Sequence, residues 1–128
     1  MTAGPVPVVG ASLVGIGVVH VAATRAFYPE SVRSIIQGGV IGAVEADPAL
    51  TALRGVGFWY ATAGLGVIAL GLAVCHVERA GRLRSDTAAV LAGIGAWGVS
   101  LVPKSGFWLF FPVAALAAVR ARAGRARA

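Results

Sequence analysis

The sequence predicts an all-α protein, a four-helix transmembrane bundle with a short interfacial amphipathic helix between helices 1 and 2. Of the 128 residues, 58% are hydrophobic and 12% are charged, whereas soluble domains carry about 25% charged residues. Residues 55–77 contain no charged side chain if histidine is neutral. A helix of that length covers roughly 35 Å, against about 30 Å for a bilayer core. We therefore expect residues 1–128 to form a single membrane domain.

The first spanning helix is predicted over about residues 5–24, which carry no charged side chain. Pro5 and Pro7 suit the start of a helix, where a missing N–H costs little, and Arg25 ends the apolar run. A cleaved signal peptide is the alternative. Such peptides begin with a positively charged segment, and only the α-amino group precedes this run, so a retained helix is favoured.

The amphipathic helix is predicted over about residues 30–45, after a break at Tyr28 and Pro29. Its apolar residues fall along one helical stripe and its polar residues lie beside that stripe. The segment is too short and too polar to span a bilayer. We expect it to lie on the membrane surface or against the mouth of the bundle.

The second spanning helix is predicted over about residues 48–78, with Asp47 as its N-cap and Pro48 at its first position. We expect Arg54, on an early turn, to reach the interface with its long side chain. Glu78 is expected to pair with Arg82, four residues further on, at the exposed end.

The third and fourth spanning helices are predicted as a hairpin over about residues 86–102 and 105–121, followed by a basic tail at 122–128. Asp86 is the expected cap of the third helix. Both helices are short for a full span, so the bilayer thins locally or the tail arginines extend to the interface.

The distribution of lysine and arginine predicts the orientation. With four spans, both termini and the loop after the second helix share one side, and that side holds more of these residues than the other. Because lysine and arginine are enriched in cytoplasmic segments, we expect a multi-pass protein of the cell membrane with both termini in the cytoplasm.

Small residues are expected to hold the helices together. Gly10 and Gly17 are seven residues apart on the first helix, and Gly57, Gly64 and Gly71 repeat at the same interval on the second. In lipid, close backbone packing drives helix association. The expected partners are the lipid bilayer and either a second copy of the chain or another membrane protein.

Polar and aromatic side chains collect at one end of the predicted bundle. His20, Glu45 and Tyr60 are the candidate catalytic residues, because imidazole, carboxylate and phenol groups can carry protons. His20 lies three residues beyond Gly17, and Tyr60 three beyond Gly57, so both are expected to face protein. The alternative is structural, since a histidine can simply fix helix register. Candidate ligand-binding residues are Trp59, Lys104, Ser105 and Trp108.

Several other kinds of site find little support. The net charge of +6 is a weak sign of nucleic-acid binding, and the arginines cluster at the ends of apolar runs, so no nucleic-acid partner is expected. His76 and Glu78 point to different helix faces, and the single Cys75 forms no metal cluster. Residues 93–98 match a dinucleotide fingerprint by letters but lie inside a predicted helix. We expect no metal and no cofactor.

Three stretches resemble segments of small bacterial four-helix integral membrane proteins that form a family of unknown function. They are residues 15–20 on the first helix, 57–64 on the second and 103–108 before the last. The insert after the first helix and the basic tail are also similar, and the size resembles that of DoxX-like proteins. The resemblance implies the fold and the membrane location, and it implies no activity.

Three functions remain open. The predicted interior has many small residues at helix contacts and few ionisable side chains. This favours a protein that binds an apolar or lipid-like ligand or a membrane partner. His20, Glu45 and Tyr60 instead favour a membrane-embedded acid–base enzyme (an isomerase, cyclase or hydrolase) that acts on a lipid or terpenoid. The third is a small oligomeric transporter, against which the expected lack of a deep acidic residue argues.

Overall fold

A computed structural model describes residues 6–126, and within this range the chain is all-helical, as predicted. Its regular elements follow in chain order, with a 3-10 turn before the last helix. They are α1 Val8–Phe27, α2 Pro29–Gln37, α3 Thr51–Arg79, α4 Ser85–Leu101, the 3-10 turn Gly106–Leu109 and α5 Phe110–Arg125.

Among residues 6–126, three helical segments are long and apolar enough to cross a membrane: α1, α3 and Gly106–Arg125. Large apolar side chains face outward, with Trp97 70% and Ile41 95% exposed. Water-soluble monomers rarely expose large contiguous apolar patches, so this surface indicates association with a membrane. The 17 residues of α4 cover about 26 Å, slightly less than the bilayer core of about 30 Å.

The described residues fall into two compact units. The central unit is Val14–Ala69, and the terminal unit comprises residues 6–13 and 70–126. The central unit contains most of α1, all of α2 and the first part of α3. The terminal unit contains the first turns of α1, the end of α3 and the helices that follow.

Glycines bring α1 and α3 together in the central unit. A Cβ atom on Gly17 would lie 2.8 Å from the carbonyl oxygen of Gly64, and one on Gly64 would lie 3.1 Å from the carbonyl oxygen of Gly17. Real Cβ atoms are not found at the first of these distances. The predicted glycine seam is therefore present at this pair, and it lets the two backbones approach.

Glycines also set the packing of the terminal unit. A Cβ atom on Gly10 would lie 2.6 Å from the carbonyl oxygen of Gly71, and one on Gly98 would overlap the ring of Phe107. Gly95 faces the Cβ atom of Phe110. Helices α4 and α5 thus pack as a hairpin through the small residues of α4.

Helix α2 ends at Gln37 and not at the predicted residue 45. The chain then turns tightly, with positive φ at Gly39 (84°), Val40 (66°) and Gly42 (70°). Glycine adopts this left-handed conformation without steric cost, and Gly39, directly after the C-cap Gly38, therefore ends the helix. Residues 38–46 form turns, and the amphipathic helix has only nine residues.

The remaining helix ends differ from the predictions by a few residues. Helix α1 runs three residues past the predicted end at 24 and stops before Pro29, because the residue before a proline disfavours helical geometry. The Asp47 carboxylate accepts a hydrogen bond from the Ala49 N–H at 2.9 Å, but it holds a turn, and α3 starts at Thr51. Helix α5 continues to Arg125, four residues beyond the predicted end.

Candidate functional site

Two of the three candidate catalytic side chains meet in the central unit. The rings of His20 and Tyr60 stack with centroids 3.9 Å apart and planes 15° from parallel. Both residues lie just beyond seam glycines, as the sequence indicated. The His20 Nε2 atom is buried and has no hydrogen-bond partner among residues 6–126. The stack therefore leaves one buried polar atom of the imidazole without a hydrogen-bond partner, which is uncommon in proteins.

The third candidate, Glu45, lies in the turn between α2 and α3 and is exposed. Within the described chain its carboxylate takes part in no hydrogen bond or ion pair, and only its backbone N–H is engaged, with the Gly42 carbonyl at 3.2 Å. The convergence of Glu45 with His20 and Tyr60 remains a prediction.

Two further rings extend the stack. The Tyr28 ring lies 5.0 Å from that of Tyr60, and the Phe27 ring lies 6.2 Å from Tyr60 in an edge-on arrangement. Aromatic pairs favour such tilted and edge-on geometries. We refer to His20, Phe27, Tyr28 and Tyr60 as the aromatic cluster.

An open pocket of about 310 Å³ adjoins the aromatic cluster, and we refer to it as the apolar groove. Its lining is mostly apolar, with one carboxylate residue and two hydroxyl residues. It is formed by Phe27, Tyr28, Pro29, Glu30, Ser31, Leu53 and Val56. Phe27 and Tyr28 belong to both the groove and the cluster, so the two features are continuous.

A hydrogen-bond network ties α2 to α3 beside the apolar groove. The Ser31 hydroxyl donates to the Arg54 carbonyl oxygen at 3.2 Å and accepts from the Gly57 N–H at 3.0 Å. A Cβ atom on Gly57 would overlap the Ser31 hydroxyl. Glycine at this position is what allows the Ser31 side chain to reach the α3 backbone and fix one wall of the groove.

The expectation that Arg54 extends to the interface is wrong. Its side chain is buried, with the residue 7% exposed. The Nη1 atom donates to the Ala43 carbonyl oxygen at 2.6 Å, and Nε donates to the Ser34 hydroxyl at 2.8 Å. Carbonyl groups freed by the early end of α2 supply acceptors, and Gly38 leaves room, since a Cβ atom there would lie 3.2 Å from the guanidinium carbon.

The four candidate ligand-binding residues have local roles. Trp59, in the central unit, is exposed and packs edge-on against Phe58. In the terminal unit, the Ser105 hydroxyl accepts from the Phe107 N–H at 3.4 Å and caps the 3-10 turn. In the same unit, the Trp108 Nε1–H donates to the Pro103 carbonyl oxygen at 2.8 Å. Lys104 is exposed. Their gathering around a ligand remains a prediction.

The sequence reasoning missed the buried carboxylate of Glu78 in the terminal unit. Glu78 is 4% exposed, and its Oε2 atom accepts hydrogen bonds from the N–H groups of Val9 at 3.0 Å and Gly10 at 3.2 Å. Its Oε1 atom lies 3.9 Å from the Nε atom of Arg120, an ion-pair distance too long for a hydrogen bond. Glu78 therefore does not pair with Arg82 as expected.

Physical reasons for this placement can be read from the sequence. The first N–H groups of a helix lack internal acceptors, and a negative charge is favourable there. Glu78 also follows Gly71 by seven residues and so continues the seam of Gly57, Gly64 and Gly71 on one helix face. All four positions are buried. Extending the seven-residue interval by one step would have identified Glu78 as an inward-facing residue.

Comparison with known proteins places this chain next to one group of sequences. A family model described as a family of unknown function (DUF6463) matches residues 4–124. Searches of curated proteins and of solved structures gave no match. The match extends over nearly the whole chain and confirms the resemblance to a family of unknown function.

Proposed function

The chain belongs to the DUF6463 family, whose function is unknown, and we propose from its geometry that it is a small membrane protein that binds an apolar, lipid-like ligand. The proposed site is the apolar groove together with the aromatic cluster. The apolar side chains of Phe27, Leu53 and Val56 line the open groove and suit contact with a hydrocarbon chain. The adjoining aromatic cluster carries a polar atom without a partner, the Nε2 atom of His20.

The proposed topology has four spans, with α2 at the interface and both termini in the cytoplasm of a multi-pass cell-membrane protein. The three span-length segments support it. Helix α4 provides the fourth crossing, because 17 residues is at the lower end of the roughly 17–25 that a spanning helix needs. Its outward-facing Trp97 fits a lipid environment.

The single observation that carries the ligand proposal is the continuity of the groove with the cluster through Phe27 and Tyr28. The groove's volume of about 310 Å³ lies within the roughly 300–1,000 Å³ of small-molecule sites. Such sites are mostly apolar with a few polar groups, and Tyr28, Glu30 and Ser31 carry the polar groups at this one.

The acid–base enzyme remains the alternative, supported by the buried, unpartnered Nε2 atom of His20. It also requires a carboxylate near the imidazole, and the convergence of Glu45 with His20 that would supply one remains a prediction. A transporter would need a buried acidic group, and Glu78 is one that the sequence analysis did not identify. Its carboxylate already accepts two hydrogen bonds from the start of α1, which favours a structural role. A second copy of the chain or another membrane protein stays a proposed partner.

Photo-crosslinking tests the ligand proposal. The full chain in detergent micelles is incubated with a diazirine-labelled palmitate analogue, irradiated and digested. We expect labelled peptides to contain residues 27–31 and 53–56. The Val56→Trp variant fills the groove and should lose this labelling, while Leu65→Trp, at another exposed α3 position, should keep it. Equal labelling of both variants, or labelling spread evenly over the spanning helices, would refute the groove as a binding site.

A further inference from the structure

A second open pocket, of about 350 Å³, lies in the terminal unit where the α3–α4 loop meets the last turns of α5. Its lining contains three arginines and one serine hydroxyl, and we refer to it as the basic pocket. The lining residues are Gly81, Arg82, Leu83, Arg84, Ser85, Ala121, Gly124 and Arg125.

The basic pocket holds more positive charge than its neighbours neutralise. Arg84 pairs with Asp86 at 2.9 Å. Arg125 donates from Nη1 to the neutral Ser85 hydroxyl at 3.4 Å, and within residues 6–126 neither Arg125 nor Arg82 forms an ion pair. The other carboxylate of the terminal unit, that of Glu78, is buried against the start of α1.

The chemistry of these groups matches a phosphate. The guanidinium group is planar and donates several hydrogen bonds in a fork that fits phosphate oxygens, and it is less strongly hydrated than an ammonium group. The Ser85 hydroxyl adds a donor on the same wall. Three guanidinium groups around one open pocket thus favour an anion with several oxygens over a single carboxylate.

The position of the basic pocket indicates where that phosphate comes from. Two span-length segments end beside it, at Arg79 and Arg125, and the ends of spanning helices lie at the level of lipid headgroups. Basic pockets between membrane helices bind anionic headgroups. We propose that the basic pocket binds the phosphate of an anionic phospholipid headgroup. This inference rests on membrane insertion and does not depend on the apolar groove.

Exposed arginines beside a spanning helix also serve to orient a membrane protein without forming a site, so the experiment must separate the two roles. The chain offers a matched control. Arg82 and Arg125 line the basic pocket. Arg79, three residues before Arg82 at the end of α3, and Arg122, on α5 like Arg125, are also exposed and do not line it. Replacing either pair by glutamine removes two positive charges.

The test uses the full chain in a non-ionic detergent and native mass spectrometry. The probes are short-chain phosphatidylglycerol, short-chain phosphatidylcholine and inorganic phosphate. We expect phosphatidylglycerol to bind most tightly of the three probes. Its dissociation constant should rise about tenfold or more in Arg82→Gln/Arg125→Gln, since each arginine near the membrane surface strengthens the binding of anionic lipid several-fold. In Arg79→Gln/Arg122→Gln it should change by less than about threefold, through long-range charge alone.

Three results would overturn the proposal. An equal loss in both double variants would mean that net charge, and not the pocket, attracts the lipid. Inorganic phosphate that binds as tightly as phosphatidylglycerol would identify a site for free phosphate. Phosphatidylcholine that binds equally well would remove the role of the anionic headgroup. If either double variant fails to fold, the comparison of Arg82→Gln with Arg79→Gln decides in the same way.

Discussion

Replacing Glu78 by alanine is expected to destabilise the terminal unit by about 3–5 kcal/mol. The carboxylate accepts two hydrogen bonds from Val9 and Gly10, and its removal leaves both N–H groups without their acceptor. A buried polar group without a partner costs about 1–3 kcal/mol. The substitution also removes a negative charge from the start of α1, where it is favourable by about 0.3–2 kcal/mol.

Two related substitutions divide this effect into its parts. Glu78→Gln keeps one acceptor oxygen, which can accept from both N–H groups as Oε2 does. It should therefore cost less than alanine, because it removes the negative charge but not the acceptor. Arg120→Gln should cost less than about 1 kcal/mol, since the Arg120 side chain is 36% exposed and solvent screens such a pair. The matched control is Asp86→Ala, which removes an exposed carboxylate paired with Arg84 and should cost no more than about 1 kcal/mol.

The measurement is reversible unfolding of the full chain in mixed micelles of increasing dodecyl sulfate fraction, followed by tryptophan fluorescence. We expect the unfolding midpoint to fall in the order wild type, Asp86→Ala, Glu78→Gln, Glu78→Ala. A free energy of unfolding for Glu78→Ala within about 1 kcal/mol of that for Asp86→Ala would refute the structural role of the buried carboxylate, because exposed pairs contribute only that much.

Two further predictions concern the central unit. Gly64→Leu should prevent close packing of α1 on α3 and abolish folding in detergent, because a Cβ atom there would already crowd the Gly17 backbone. Gly66→Leu is the control and should fold normally, since Gly66 has open space around it. Equal yields of monodisperse protein from the two variants would contradict the glycine seam. Arg54→Gln should expose residues 38–46 to limited proteolysis, since a hydrogen bond from a charged donor is worth about 1.5–3 kcal/mol. Arg33→Gln, which removes an exposed arginine, is the control and should not change the cleavage rate. Identical cleavage rates in the two variants would show that the buried guanidinium does not hold the turn.

The helices could be predicted from the sequence because apolar runs and their breaks are local properties. The uncharged stretch 55–77 lies within α3. The seven-residue spacing of glycines predicted close packing along this helix, which the backbone approach of Gly17 and Gly64 confirms. The same spacing indicated that His20 and Tyr60 face protein. The sequence did not predict that their rings stack, because that contact depends on how α1 and α3 align along the seam.

The hydrogen-bond partners of Arg54 and Glu78 could not be predicted in the same way, because they include backbone groups. The Arg54 guanidinium binds a carbonyl in a turn that exists only because α2 ends at Gln37. The Glu78 carboxylate binds N–H groups at the start of a distant helix. Rules for side-chain pairs at short spacing favoured Arg82 as the partner of Glu78, and backbone donors and acceptors carry no residue-type signal in a sequence.

The contact between Glu78 and the beginning of α1 has a consequence for biosynthesis. The two partners in the bond to Gly10 are 68 positions apart, so the first turn of α1 leaves the ribosome long before its acceptor is translated. During that interval those amides depend on water or translocon groups for hydrogen bonds, because hydrocarbon offers none. The first turn of α1 can therefore form its native hydrogen bonds only after the end of α3 has been synthesised. In a nascent chain stalled before residue 78, α1 lacks the carboxylate that accepts these bonds.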